Sequence, residues 1–134
     1  MVRIVVAILM SLSLSLANWY VKVEEGFEAA KRENKLVAFY FYSNHCPYCA
    51  HMEEFTLNQE EVQNKLKNFV MISLNISSDE GSRWARKLGV PGTPTIVFYD
   101  PKEGKTLGAL FGSRSGGEVI NFINGVCKRA NKVC

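Results

Sequence analysis

The feature that most constrains the fold of this 134-residue chain is an apolar run that leads directly into a pair of cysteines. The run LVAFYFYS, residues 36–43, is short and mostly aromatic and aliphatic, which is typical of a strand buried on both faces of a parallel or mixed sheet. The pair follows as CPYC, and Pro47 fits the first turn of a helix, where no N–H is needed. The sequence therefore predicts that Cys46 and Cys49 lie where a central strand ends and a helix begins.

The patterns on either side of this junction predict a single α/β domain. Further helices are predicted over residues 23–35, 58–67, 78–90 and 116–130, and further strands over residues 69–77, 94–100 and 106–112. Asn58 and Glu61 have the spacing of a capping box, and Gly89 is placed to end its helix. The turn at residues 100–105 makes the last two strands an antiparallel hairpin. We expect a mixed central sheet of about four strands with helices on both faces.

The first 17 residues differ in kind from the rest of the chain. Arg3 is followed by an apolar stretch of about 14 residues, shorter than the roughly 20 that span a bilayer, and small residues precede a plausible cut after Ala17. We therefore expect a cleaved secretory signal peptide over residues 1–17 and one mature domain over residues 18–134. The expected compartment is periplasmic or secreted, where disulfides persist.

Charge and composition argue against a nucleic-acid partner. The formal net charge is only +3, and the basic residues are scattered along the chain. The densest clusters, KLKN and KRANK, lack the interleaved aromatic residues of a nucleic-acid-binding face.

The position of the cysteine pair favours redox chemistry. At a helix start, free N–H groups and the positive end of the helix dipole stabilise a thiolate at Cys46, which is the attacking species in disulfide exchange. Cys49, one helical turn later, can resolve the mixed disulfide. Pro47 and Tyr48 lie between the cysteines and are expected to tune the redox potential, and Tyr48 is placed to touch a substrate. His45 is expected to stabilise the neighbouring thiolate electrostatically.

Other uses of such a cysteine pair are covalent haem attachment, metal binding and a structural disulfide. Covalent haem attachment needs a histidine directly after the second cysteine, and Ala50 stands there. Zinc or copper has candidate ligands in Cys46, Cys49, His45 and His51, but a structural zinc site usually has a second arm of ligands. A purely structural disulfide remains an alternative, and His51 is interpreted as a solvated residue at the helix end. We expect no metal and no cofactor.

A second candidate site element is the segment GVPGTPT, residues 89–95, which marks a forced turn before a strand. A cis Thr93–Pro94 bond would bring this loop beside the cysteine pair and leave the Thr93 backbone free to pair with an extended substrate chain. The residues alone favour the ordinary trans bond, because cis bonds are a small minority.

Together these motifs resemble the thioredoxin fold over residues 20–126, through FYFYSNHCPYC, LNIS, KLGVPGTPTIVFYD and LFG. The segment FTLNQEEVQNKLKNFVMISLNIS is similar to thioredoxin-like domains of bacterial extracytoplasmic reductases, such as the C-terminal domain of DsbD and its soluble relatives. The resemblance implies a cis Pro94, Cys46 as the exposed nucleophile, and substrate binding by Thr93 and Pro94. The dipeptide Pro47-Tyr48 is similar to that of glutaredoxins and the DsbG type.

Three positions depart from the thioredoxin pattern. Tyr40 stands where thioredoxins carry a buried Asp, Ser73 where they carry a Lys, and His45 where a Trp precedes the nucleophile. The usual carboxylate acceptor for the proton of Cys49 is therefore missing. We infer a lower pKa for Cys46 and a couple less reducing than thioredoxin.

The remaining cysteines, Cys127 and Cys134, are seven residues apart. In a continuous helix their Cα atoms would lie ~10 Å apart, which is too far for a disulfide. They can bond only if the helix ends near residues 128–130 and the tail folds back, which makes them a candidate structural disulfide. A free thiol pair, an intermolecular bridge and a second redox relay remain alternatives.

These features favour a monomeric thiol:disulfide oxidoreductase that acts on protein thiols and disulfides outside the cytoplasm. We expect it to work as a reductase, with a membrane electron transporter as partner. The alternatives are a disulfide oxidase or glutaredoxin-like enzyme, and a non-enzymatic metal-binding module.

Overall fold

A computed structural model describes residues 19–134. The predicted signal peptide, residues 1–17, and the first residue of the predicted domain lie outside the described residues. The helices are α1 Val23–Glu33, α2 Pro47–Met52, α3 Glu60–Leu66, α4 Asp79–Leu88 and α5 Gly116–Arg129, and a π-helical turn over Glu53–Leu57 follows α2. The strands are β1 Leu36–Tyr42, β2 Phe69–Asn75, β3 Thr95–Asp100 and β4 Lys105–Phe111. Within the described part of the chain, no helix combines the length and apolarity needed to cross a membrane.

The four strands form one mixed sheet in the order β2-β1-β3-β4. Strand β1 runs parallel to β2 and antiparallel to β3, and β3 runs antiparallel to β4. Both the predicted mixed sheet and the predicted hairpin are therefore confirmed. Tyr20 extends the outer edge of β2, because its N–H donates to the Met71 carbonyl at 2.9 Å and its carbonyl accepts from the Ser73 N–H at 2.8 Å.

Helices cover both faces of the sheet, which explains why β1 is apolar along its whole length. Its even-numbered residues, such as Ala38 and Tyr40, pack with α2, α3 and α5 in one cluster. Its odd-numbered residues, such as Phe39 and Phe41, pack with α1 and α4 in the other cluster. Burial of each large apolar side chain contributes about 1.5–3 kcal/mol, so these two clusters supply most of the driving force for folding.

One helix start differs from the prediction. The capping box of Asn58 and Glu61 is wrong: helix α3 begins at Glu60 after the N-cap residue Gln59, and no side chain caps it. The physical reason is the π-helical turn, which carries the chain in helical conformation through Asn58, with φ −90° and ψ −1°. An N-cap residue needs an extended backbone, which Gln59 has and Asn58 lacks.

The C-terminal end of α5 folds back, as a bond between the last two cysteines requires. Asn131 adopts a left-handed backbone with φ 54°, and the N–H of Lys132 donates to the carbonyl of Cys127 at 2.9 Å. This pattern ends a helix and reverses the chain. Cys134 thereby reaches Cys127 and forms a disulfide, with the two Cα atoms 6.1 Å apart.

Candidate active site

The cysteine pair lies where the sequence predicts, between the end of β1 and the start of α2. Cys46 is the N-cap residue of α2, with an extended backbone, and Pro47 follows at the first helical position. Cys46 and Cys49 form a disulfide with their Cα atoms 5.2 Å apart. The N–H of Cys49 donates to the Cys46 sulfur at 3.1 Å. Cys49 is only 3% exposed, whereas Cys46 is half-buried, so Cys46 is the more accessible of the two residues.

The Thr93–Pro94 loop lies directly beside this pair, and its peptide bond is cis, as the resemblance implies. The Thr93 hydroxyl is 3.6 Å from the Cys46 sulfur and 2.7 Å from the Ser43 hydroxyl. The Pro94 carbonyl accepts a hydrogen bond from the Gly112 N–H at 2.8 Å. Among residues 19–134 the backbone of Thr93 makes no backbone hydrogen bond, so its N–H and C=O are free to pair with another chain.

The two histidines beside the pair differ in their contacts. His45 is exposed and has a left-handed backbone with φ 54°, and its side chain makes no hydrogen bond or ion pair within the part of the chain that the structure describes. The structure therefore does not bring the His45 ring into a hydrogen bond with Cys46. His51 is exposed but is not simply solvated, because its Nδ1 lies 3.2 Å from the Ser113 hydroxyl and its ring centroid 4.8 Å from that of Phe55.

A carboxylate that the sequence reasoning missed reaches the site from the π-helical turn. The buried Tyr40 hydroxyl donates to Glu53 Oε2 at 2.8 Å, and Glu53 lines the same surface depression as Cys49. Burial, followed by the bond to Glu53, raises the pKa of Tyr40 far above its ordinary value, so Tyr40 remains a protonated donor.

The expectation that no carboxylate stands near Cys49 is therefore incomplete. Position 40 offers none, but Glu53 supplies one from another element. The signal that could have found it is the four-residue spacing of Cys49 and Glu53, which places both on one face of a helix. Ser73, which stands where thioredoxins carry a Lys, pairs with Tyr40 across the parallel strands β1 and β2.

Three aromatic side chains in the segments around the site are exposed. Tyr48 is 70% exposed, Phe55 56% and Phe111 50%. The Phe111 ring covers Gly92, since a Cβ added there would lie 3.2 Å from the ring. Pro47 and Tyr48, both exposed, directly follow Cys46, and Phe111 covers the residue before Thr93, so both segments that meet at Cys46 carry apolar side chains.

Residues 19–134 contain no arrangement of side chains suited to binding a metal ion. No group of three or more His, Cys, Asp or Glu side chains there is placed to hold an ion. The sulfurs of Cys46 and Cys49 are bonded to each other instead.

Comparison with known proteins gives one family match that covers most of the chain. The model of a family described as a thioredoxin-like domain matches residues 23–126. The thiol:disulfide interchange protein DsbD of Vibrio cholerae is 28% identical over 81 residues, 59% of this chain and 14% of that protein. The protein disulfide isomerase-like 2-2 of Oryza sativa is 34% identical over 95 residues, 71% of this chain and 25% of that protein. The chain thus spans a quarter or less of the length of these curated relatives.

Solved structures agree with this match. A thioredoxin from Thermus thermophilus superposes with a TM-score of 0.75 at 40% identity, over 82% of this chain and 86% of that one. The oxidised C-terminal domain of Neisseria meningitidis DsbD superposes with a TM-score of 0.69 at 20% identity, over 80% of this chain and 97% of that one. At that lower identity the likeness speaks for the fold alone.

Proposed function

The chain belongs to the thioredoxin-like family of thiol:disulfide oxidoreductases, and from this premise we propose that it exchanges disulfides with protein substrates through Cys46 and Cys49. The observation that carries the proposal is the disulfide between these residues, set at a strand–helix junction with the unpaired backbone of Thr93 beside it.

In the reducing direction, the Cys46 thiolate attacks one sulfur of a substrate disulfide. The substrate S–S bond breaks, and the attacked sulfur forms a mixed disulfide with Cys46. The other substrate sulfur leaves and takes up a proton. Cys49 then loses its proton and attacks the Cys46 sulfur. This step releases the second substrate thiol and forms the Cys46–Cys49 bond. Two electrons pass to the substrate, and an external dithiol must reduce the pair again.

Accessibility and hydrogen bonding support these separate roles. Cys46 is the less buried residue, and its sulfur accepts from the Cys49 N–H and contacts the Thr93 hydroxyl. Hydrogen bonds to a charged acceptor contribute about 1.5–3 kcal/mol each, so they favour the thiolate at Cys46. Cys49 is shielded from substrates. It is the bonding partner of Cys46, so it can reach the Cys46 sulfur of the mixed disulfide.

The surface around Cys46 fits an extended polypeptide. The unpaired backbone N–H and C=O of Thr93, next to Pro94, offer the pairing that an added strand needs. Tyr48, Pro47 and Phe111 offer apolar contacts to the side chains of that segment. A protein disulfide in an unfolded or flexible segment is therefore the proposed substrate class.

We propose that the couple is less reducing than thioredoxin. The two donors to the Cys46 sulfur stabilise the reduced, thiolate form, which raises the potential. The Glu53 carboxylate acts in the opposite direction, but it is partly exposed and accepts a bond from Tyr40, so its effect on Cys46 is the weaker one. A titration against glutathione should give a potential above about −270 mV, and a value at or below it would refute this expectation.

We also propose that the protein works as a monomer outside the cytoplasm, in the periplasm or after secretion. Residues 1–17 have the pattern of a signal peptide, and both cysteine pairs are oxidised in the structure. The reducing direction, with a membrane electron transporter as the dithiol donor, is supported by the similarity to DsbD.

Trapping tests the proposed roles. Purified Cys49→Ala protein, with Cys46 reduced, is mixed with an oxidised protein substrate such as insulin. A covalent adduct that reductant releases should accumulate, because no resolving thiol is present. The matched control is the double variant Cys46→Ala/Cys49→Ala, which should form none. Equal adduct formation by both variants would show that another thiol reacts and would overturn the assignment.

A further inference from the structure

We propose that Ser43 is a positioning residue for Cys46: its hydroxyl holds the Thr93 hydroxyl so that Thr93 donates a hydrogen bond to the Cys46 sulfur in the reduced protein. This inference rests on the proposed function and identifies what tunes the nucleophile of the same site.

The three atoms form a chain of contacts drawn from three segments. Ser43 Oγ lies 2.7 Å from Thr93 Oγ1, and Thr93 Oγ1 lies 3.6 Å from Cys46 Sγ. Ser43 is the first residue after β1, Thr93 lies in the loop before β3, and Cys46 caps α2. Within residues 19–134 the Ser43 side chain has no other hydrogen-bond partner, so its geometry is committed to Thr93.

The sheet register explains why these side chains meet. Strands β1 and β3 are antiparallel neighbours, and Phe41 pairs with Thr95. Two residues further along β1 and two residues back along β3 bring Ser43 opposite Thr93, because antiparallel partners shift in opposite directions. The register thus brings the two segments side by side just beyond their last paired residues, and neither Ser43 nor Thr93 belongs to α2.

The hydrogen count decides the direction of the bonds. Each hydroxyl carries one hydrogen and can both donate and accept. If Ser43 donates to Thr93, the Thr93 hydrogen is free for the sulfur. A Cys46 thiolate has no hydrogen and can only accept, so it selects this arrangement, and each bond in the chain strengthens the next. Removing the Ser43 hydroxyl leaves the Thr93 hydroxyl free to rotate away.

The test measures the pKa of Cys46 in the reduced full-length protein, from the pH dependence of its alkylation by iodoacetamide, with the modified residue identified by mass spectrometry. Ser43→Ala should raise this pKa by about half a unit, because the bond to the sulfur becomes less directed. Thr93→Val, of nearly the same shape but without a hydroxyl, should raise it by about one unit. Ser43→Thr keeps a hydroxyl and should stay closer to the original value than Ser43→Ala does.

The double variant Ser43→Ala/Thr93→Val separates this role from a merely structural one. If Ser43 acts through Thr93, the double variant has the pKa of Thr93→Val alone. An unchanged pKa in Ser43→Ala, or a full additional shift in the double variant, would overturn the proposal. Because iodoacetamide needs no disulfide substrate, a protein that shows these shifts but fails to form trapped adducts would refute the proposed function and leave the role of Ser43 standing.

Discussion

The two disulfides of this protein differ in their position along β1 and in the groups that surround them. Cys46–Cys49 follows the end of β1, whereas Cys134 borders Leu36 at the beginning of that strand, ~20 Å away along seven residues. The Cys46 sulfur is half-buried and has two polar neighbours, the Cys49 N–H and the Thr93 hydroxyl.

The second bond has the same pattern of burial, with one enclosed and one half-buried cysteine, but its enclosed residue packs among apolar side chains. Cys127 is 3% exposed and belongs to an apolar cluster with Val126 and Ile123. Its partner Cys134 is half-buried, and the Cys134 carbonyl accepts a hydrogen bond from Lys65 Nζ at 3.3 Å. We expect the groups around each disulfide to decide which of the two exchanges and which holds the chain.

The largest expected effect is on exchange itself. Cys46→Ser should lower the rate of protein-disulfide reduction by at least about a thousandfold, because the attacking sulfur is removed. Cys134→Ser should leave that rate within about twofold, since this cysteine lies at the other end of the sheet. Turnover of insulin with dithiothreitol measures both. A large loss of rate in Cys134→Ser would contradict the contrast.

The two bonds should also open at different strengths of reductant. In a stepwise titration with dithiothreitol, Cys46–Cys49 should be reduced at a ratio of reduced to oxidised reagent at least about tenfold lower than Cys127–Cys134 needs. The reason is not burial, because each pair has one cysteine that is 3% exposed and one that is half-buried. The Cys46 sulfur accepts hydrogen bonds from the Cys49 N–H and the Thr93 hydroxyl, which stabilise its thiolate and so favour reduction of the first pair. Alkylation followed by peptide mass mapping reports each pair separately. Reduction of both pairs at one ratio would remove the distinction.

Loss of the second bond should appear in stability. Its loop of eight residues, Cys127 to Cys134, constrains the unfolded chain, so Cys134→Ser should lower the free energy of unfolding by about 2 kcal/mol. Urea denaturation of both proteins under non-reducing conditions measures the difference. A variant as stable as the original chain would mean that the Asn131 turn holds the tail without the bond.

The smallest expected effect concerns the other end of α5, which is held without a covalent bond. Hydrogen bonds from Ser115, with the neighbouring Arg114, lower the pKa of Glu118 below its ordinary value of 4.5. A lowered folded-state pKa means that this stabilisation is present above the ordinary value and disappears as pH falls through the folded-state pKa. Between pH 6 and pH 3 the original chain should therefore lose more stability than Glu118→Gln does. Urea denaturation at each pH measures the free energy of unfolding of both proteins. An equal loss in the two proteins between pH 6 and pH 3 would contradict this prediction.

Much of the architecture follows from local patterns in the sequence. Strands β1, β2 and β3 are short apolar runs with clear flanks, and Gly89 does end α4 in a left-handed conformation. The start of α3 does not follow from pattern, because Asn58 and Glu61 satisfy a capping box locally while the preceding π-helical turn overrides it. A local sequence motif does not determine where a helix begins when a neighbouring element sets the backbone conformation of the same residues.

The site was predictable only in part for a related reason. Spacing and helix-start chemistry locate Cys46 and Cys49, but the contact of Ser43 with Thr93 depends on β1 lying beside β3. That neighbour relation joins residues fifty positions apart, and periodicity along the chain does not contain it. Glu53 has a visible four-residue spacing from Cys49, but the family pattern places the carboxylate at position 40, so that pattern does not point to Glu53.

The pairing of Phe41 with Thr95 holds side by side the ends of β1 and β3 that lead into the active site. Adjacent strands lie about 4.8 Å apart. Thr93, which faces the reactive sulfur, comes two residues before β3 begins, whereas the resolving cysteine belongs to the six-residue helix α2. The bond that opens and closes in each cycle therefore joins residues at the start of one short helix, and the hydroxyl beside it is carried by a separate element.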